Sequence, residues 1–183
     1  HCISDWGHDF RPDYRLISRV LGVIPPNVSV LATTATANNR VIADIVSQLG
    51  DDIDIIRGEL VRDSLQLQNI NMPNPAVRMS WLVDTIQSIE GSGIVYTLTQ
   101  RDAEKLTEWF KINKIEAEAY HSGIPDNEDG SSRKEELECK LINNEIKVLV
   151  ATVALGMGFD KPDLGFTIHY QRPSSVVHYY QQV

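Results

Sequence analysis

The sequence predicts an α/β fold built on a parallel sheet covered by helices on both faces. Three observations predict it. Short β-prone apolar runs alternate with stretches of helical periodicity along most of the 183 residues. Glycine, proline and helix-capping residues fall between those stretches. The composition, 42% hydrophobic and 23% charged, is that of a globular chain able to build a core. Strand and helix taken in turn imply parallel strands joined by helical crossovers.

Residues 28–32 read as a first short strand. Val41, Ile42, Ile45, Val46 and Leu49 then recur at helical spacing over 38–49, and Gly50 is a stop signal. Two more short strands are expected at 54–57 and 67–72. Pro73 and Pro75 punctuate the entry to a helix over 76–89. Residues 93–98 read as a buried strand. Thr99 with Asp102 three residues later resembles a capping box, opening a helix that runs through Phe110. The alternation continues with strands at 116–120, 147–152 and 165–169, a helix at about 132–143 and a last helix from Ser174. Residues 124–132, with Pro125, Asn127, Gly130 and three acids, read as a solvated and mobile loop. A domain boundary is expected at 63/64.

Composition excludes several classes. No run approaches the roughly 18–20 apolar residues of a membrane span, and the start lacks a signal-peptide pattern, so a cytoplasmic protein is expected. Cys2 and Cys139 supply neither a disulfide framework nor a structural zinc site, and no metal site is expected within the chain. With 17 basic against 25 acidic residues, the net charge of −8 excludes a broadly basic coat for nucleic acid. Any nucleic-acid contact must therefore be local.

In open α/β sheets ligands gather at the carboxyl ends of the strands, which directs attention to the loops after Ala32, Leu98, Tyr120 and Ala151. Four segments stand out. Over 4–14, Trp6, Phe10 and Tyr14 alternate with His8, Arg11 and acids; this suits stacking on unpaired bases, and equally a core-anchoring turn. Leu31-Ala32-Thr33-Thr34-Ala35-Thr36-Ala37 places small hydroxyl residues before a helix, either relaying hydrogen bonds between sites or simply capping. The run 148–162 leads a buried strand through Thr152 into a loop with Gly156, Gly158 and Asp160. Glycine there lets backbone approach a ligand and Asp160 can accept from a sugar hydroxyl, while a structural turn fits as well. At Tyr120-His121-Ser122-Gly123, His121 is either a polar contact or a hydrogen-bonded structural residue. No Gly-x-x-x-x-Gly-Lys-Ser/Thr phosphate loop is present.

Read in order, these segments resemble the RecQ family of superfamily 2 helicases over nearly the whole chain. His1-Cys2-Ile3-Ser4 resembles the tail of the family's Asp-Glu-Ala-His box, and 6–14 its aromatic-rich loop. Thr34-Ala35-Thr36 is similar to motif III, 96–101 to motif IV, His121-Ser122-Gly123 to a DNA-contact motif, 151–162 to motif V, and Gln181 to the start of motif VI. The resemblance implies a RecA-like fold, with the C-terminal part of a first helicase domain over 1–63. A nearly complete second domain would follow over 64–183, cut within motif VI.

It also implies an ATP-dependent DNA helicase, running 3′ to 5′, acting on single-stranded and forked DNA in repair or recombination. Trp6, His8, Phe10, Arg11, Tyr14, Arg101, His121, Ser122 and Thr152 would contact DNA. Thr34, Thr36 and Gln181 would couple the domains, and Gly156, Gly158 and Asp160 would face the nucleotide. ATP and Mg2+ would serve the complete protein. With the phosphate loop and arginine finger outside it, this chain alone is expected to hold neither tightly and not to hydrolyse ATP. Thr97-Leu98-Thr99-Gln100 and the acidic loop after His121 depart from the family pattern. An RNA-directed motor and a non-catalytic binding domain are the rival readings.

Overall fold

A computed structural model describes residues 16–25, 27–34, 38–50, 53–58, 64–155 and 159–183, save the side chains of Ser18, Arg40, Gln48 and Val177. The chain divides into two compact units, His1–Gln68 and Asn69–Val183. The boundary expected at 63/64 falls at the edge of a stretch, 59–63, outside the described residues.

In the first unit, α1 spans Ile17–Leu21 and α2 spans Asn39–Leu49. Asn38 caps α2 by accepting from Val41 N at 2.9 Å, and Gly50, at φ 100°, closes it by donating to Val46 O. The apolar face read from the sequence is the inward one, with Val41 buried and Ile42, Ile45, Val46 and Leu49 half-buried.

Three expected strands are corrected. Residues 28–32, 54–57 and 67–72 are not strands, and Leu31 and Ile56 stand 88% and 96% exposed. The reason is pairing: β-propensity alone does not make a strand, and among the described residues none of these segments lies in a ladder.

The second unit carries α3 (Pro75–Ser88), β1 (Gly93–Tyr96), α4 (Gln100–Ile112), β2 (Ala117–Tyr120), α5 (Arg133–Ile142), β3 (Val148–Ala151), β4 (Phe166–His169) and α6 (Val176–Gln182). The strands form one sheet in the order β2-β3-β1-β4, every pair parallel. Gly93 stands level with Val148 and Phe166, and Tyr96 with Ala151 and His169. Helices cover both faces. Alternate strand residues Val95, Ala117, Val148 and Val150 pack with Leu82, Val83 and Ile86 of α3 and Leu106 and Phe110 of α4. The opposite set, Ile94, Tyr96, Tyr120, Leu149 and Ala151, packs on Leu137 and Leu141 of α5. Because β1 and β3 bury both faces, they read in sequence as continuous apolar runs.

The helix ends are chemically specified. Asn74, Thr99 and Ser132 cap α3, α4 and α5 through side-chain oxygens, and Pro75 takes the first turn of α3. Helices α4 and α5 stop alike: Lys114 and Asn144, at φ 62° and 58°, turn the chain toward β2 and β3. The 124–132 loop, expected to be solvated and mobile, is largely exposed but internally bonded. Asn127 donates to Ser131 O, Ser131 Oγ and Glu136 Oε2, and Asp129 Oδ1 accepts from Ser131 N and Oγ.

At their N-terminal ends the strands are locked by close packing against two glycines. A Cβ on Gly93 would lie 2.5 Å from Phe166 Cγ, and one on Gly165 2.5 Å from Glu90 O. The Lys147 amine donates to Ile89 O and Gly91 O, and Ser92 Oγ donates to Ile146 O at 2.7 Å. The opposite, C-terminal ends are left to carry a site.

Candidate nucleic-acid interface

Four parallel strands end side by side, so the segments that follow them share one edge of the sheet. After β1, Thr99 Oγ1 accepts from Asp102 N at 3.1 Å and donates to Asp102 Oδ2 at 2.8 Å, closing the expected cap. That cap fixes the first turn of α4, on which Gln100 and the exposed Arg101 stand. After β2, His121 is buried and Ser122 exposed. Gln100 Nε2 reaches across to Ser122 Oγ at 3.0 Å, joining the two loops.

Gly123 leaves room for that approach, since a Cβ there would stand 2.7 Å from Gln100 Oε1. His121 Nδ1 accepts from Gly123 N at 3.2 Å, and its Nε2 lies 3.4 Å from Glu104 Oε1. The ring is thus inside its own loop, oriented by backbone on one side and a carboxylate on the other. Tyr120, just before it, donates to Glu138 Oε1 at 2.5 Å; burial first, and the acceptor carboxylate second, hold its hydroxyl above the ordinary tyrosine range.

After β3, Thr152 is buried: its amide donates to Tyr120 O, and its hydroxyl accepts from Ala154 N at 3.4 Å. The Tyr96 hydroxyl, pushed up to about 12 by burial, donates to Leu155 O at 2.9 Å and pins this loop beneath β1. Asp160 is exposed, whereas Lys161 turns away from the strand ends. With a side chain only 1% exposed, Lys161 donates to Asp163 Oδ1 at 2.7 Å and to Ile142 O at the C-terminus of α5. Asp163 is held at about 2 by hydrogen bonds from Asn144, first, and Lys161.

After β4, Gln171 accepts from Leu98 N at 3.1 Å and donates to Asp102 Oδ2 at 2.8 Å. His169 stacks on Tyr96 at 5.5 Å, meets Tyr179 of α6 at 5.1 Å, and shares a 3.0 Å hydrogen bond with Gln182. Burial lowers its pKa below the usual histidine value, against the smaller opposing effect of the Gln182 hydrogen bond. A shallow pocket lies here, lined by Leu98, Val153, His169, Gln171 and His178 among others.

The structure therefore brings Arg101, His121, Ser122 and Thr152 to one edge, two of them exposed and two buried. Asp160 lies on the loop after β3, and Gln181, half-buried, lies on α6. Thr34 belongs to the first unit. Trp6, His8, Phe10, Arg11, Tyr14, Thr36, Gly156 and Gly158 lie outside the described residues. Sequence reasoning missed Gln171. It contributes no periodicity or motif, and its partners are 73 and 69 residues away. Among the described residues no cluster of three or more His, Cys, Asp or Glu could hold a metal, and no helix is long and apolar enough to cross a membrane.

Comparison with known proteins agrees with this architecture. The family described as "Helicase conserved C-terminal domain" matches residues 77–183. A putative ATP-dependent DNA helicase Q1 of Caenorhabditis briggsae is 38% identical over all of this chain, which covers 29% of that protein. The ATP-dependent DNA helicase RecQ of Bacillus subtilis is 36% identical over all of this chain, covering 30% of that protein. This chain thus spans under a third of the length of either relative. The structure of S. cerevisiae Dbp5 bound to RNA and ADP BeF3 superposes with a TM-score of 0.75 at 18% identity, over 95% of this chain and 45% of that one. That likeness establishes the RecA-like fold. With a family match over 77–183, a parallel sheet with helices on both faces and identity to RecQ-type helicases over the whole of this chain, the chain belongs to the helicase conserved C-terminal domain family and is a RecQ-type member of superfamily 2.

Proposed function

We propose that this chain is part of an ATP-dependent DNA helicase and that the C-terminal edge of its sheet grips one DNA strand. The observation that carries this reading is the joining of Arg101 and Ser122 on one exposed edge through the Gln100 bridge. A guanidinium and a hydroxyl so placed suit two phosphates of a single strand, a local contact that a chain of net charge −8 can still make. His121 and Thr152, being buried, serve by fixing their loops and offering backbone. The RecQ-type relatives, both named as DNA helicases, support DNA as the polymer.

In this reading 1–63 belong to a first RecA-like domain and 64–183 to a second. Trp6, His8, Phe10, Arg11 and Tyr14 sense the strand, and Thr34, Thr36 and Gln181 link the two domains. Asp160, exposed on its loop, fits a ribose hydroxyl, and Gly156 and Gly158 of the same loop face the nucleotide with it. ATP, with Mg2+, supplies the phosphoryl-transfer energy when bound to the complete protein. The part of this chain is to hold the strand at Arg101 and Ser122, orient the ribose at Asp160, and transmit their geometry through the β3 loop pinned by Tyr96. Movement 3′ to 5′, action on forked DNA and a role in repair or recombination complete the proposal.

The test is ATP hydrolysis and strand separation by the full-length protein, with single-stranded DNA and RNA as separate activators. DNA stimulation, weakened roughly tenfold in DNA affinity by Arg101→Ala, is expected. Stimulation by RNA alone, or an Arg101→Ala protein with unchanged DNA affinity, refutes it.

A further inference from the structure

We propose that Gln171 is a positioning residue of the strand-gripping edge, tying the turn that carries Gln100 and Arg101 to the end of β4. The inference rests on the DNA reading above. The β1–β4 ladder ends at the Tyr96 and His169 pair, with Tyr170 N donating to Tyr96 O. The next amide of that edge, Leu98 N, finds its acceptor in the Gln171 side chain at 3.1 Å. A neutral side-chain amide offers an acceptor and a donor side by side, and Gln171 uses both: its NH2 donates to Asp102 Oδ2 at 2.8 Å.

The same carboxylate oxygen takes the Thr99 hydroxyl, so Asp102 is held between the cap of its own helix and a residue of a different strand. From there Gln100 continues to Ser122 after β2. Side-chain bonds at either end of the capped turn 99–102 thus link the segment after β4 to the loop after β2, and Gln171 stands at the β4 end of that relay. Five residues farther on α6 begins, bearing Gln181, so the strand-gripping turn and that helix are tied to one short segment.

The arrangement predicts a reciprocal swap. Gln171→Glu sets a second carboxylate against Asp102 and removes the donor. Adding Asp102→Asn returns a donor, now pointing the opposite way, at the position that the Thr99 hydroxyl also faces, and that hydroxyl changes from donor to acceptor. Asp102→Asn alone keeps an acceptor for Gln171 and changes little.

The experiment is titration of labelled single-stranded DNA by fluorescence anisotropy with the full-length protein and the three variants, well below their melting transitions. Gln171→Glu should weaken binding roughly tenfold, and the double variant should recover most of that loss. Unchanged affinity in Gln171→Glu beside a DNA-binding wild type overturns the positioning role and leaves the DNA reading standing. A loss the second substitution does not recover overturns it too. A wild type that binds no single-stranded DNA sinks both.

Discussion

Gly123→Ala separates the stability of the second unit from the geometry of the C-terminal edge of its sheet. The new Cβ would stand 2.7 Å from Gln100 Oε1 and 3.4 Å from His121 Nδ1. The second distance is an ordinary contact. The first is not, but Gln100 is an exposed side chain and can swing aside. Doing so gives up its 3.0 Å bond to Ser122, a net loss of about 0.5–1.5 kcal/mol. Replacing glycine by alanine at a backbone without a left-handed φ returns about 0.4–1 kcal/mol through the unfolded chain. The two nearly cancel, so the net change should lie within about 1 kcal/mol, or about 2–4 °C in Tm for a chain of this size.

In a Gln100→Ala background the obstructing atom is gone, and Gly123→Ala should become stabilising. The double-mutant cycle should therefore report a coupling of about 1 kcal/mol, read by urea unfolding of the four proteins. Single-stranded DNA affinity should fall in Gly123→Ala and in Gln100→Ala alike, because each releases Ser122. Additive stabilities, or a Gly123→Ala protein with its Tm and DNA affinity both untouched, would refute the reasoning.

Other consequences follow from the same packing. Gly165→Ala should cost more than Gly93→Ala, because the first meets a backbone carbonyl and the second a side chain able to move. About 1–3 kcal/mol is expected for Gly93→Ala, and that cost should largely vanish in a Phe166→Ala background in chemical denaturation, whereas the cost of Gly165→Ala should be the same in either background. His169 has a lowered pKa, so the unfolded chain binds its proton first. Its contribution is complete above about 6.5 and is lost as pH falls below that value, and thermal melts of His169→Asn should show a flatter slope there. Glu136, held at about 2 by hydrogen bonds from Lys140, Arg133 and Asn127 in that order, supports the fold above its ordinary pKa. That support should fade as pH falls from about 4.5 toward 2, and Glu136→Gln should remove this part of the acid sensitivity in a pH titration of unfolding.

Much of the second unit was legible in the sequence because its signals are local. Asn74 before Pro75, Thr99 before Asp102 and Ser132 before Glu135 announce helices within four residues, and Ile94 and Val95, buried on opposite faces, mark a central strand by continuous hydrophobicity. The first unit shows the limit of that reasoning. Val28, Val30 and Leu31 have the composition of a strand, yet a strand is defined by what lies beside it, and composition does not encode the neighbour. The site divides in the same way. Ser122 and Thr152 lie in loops that strand-end logic singles out and Arg101 comes from the family resemblance, while the relay through Gln171 depends on contacts about seventy residues apart in the chain. Lys161 is an instructive case: beside Asp160 it reads as part of a ligand loop, but its amine is spent inside, on Asp163 and the end of α5.

The two ends of the sheet differ in how freely evolution can rewrite them. At the base, a glycine pressed on a backbone carbonyl, another pressed on the Phe166 ring and an amine shared by two carbonyls leave little room for substitution. At the opposite end the joints are side chains, and side chains can be exchanged as matched sets. Transplanting 97–102, 121–123 and residue 171 together between members of the family should therefore carry polymer preference across as one cassette. Moving any of the three alone should break the other two.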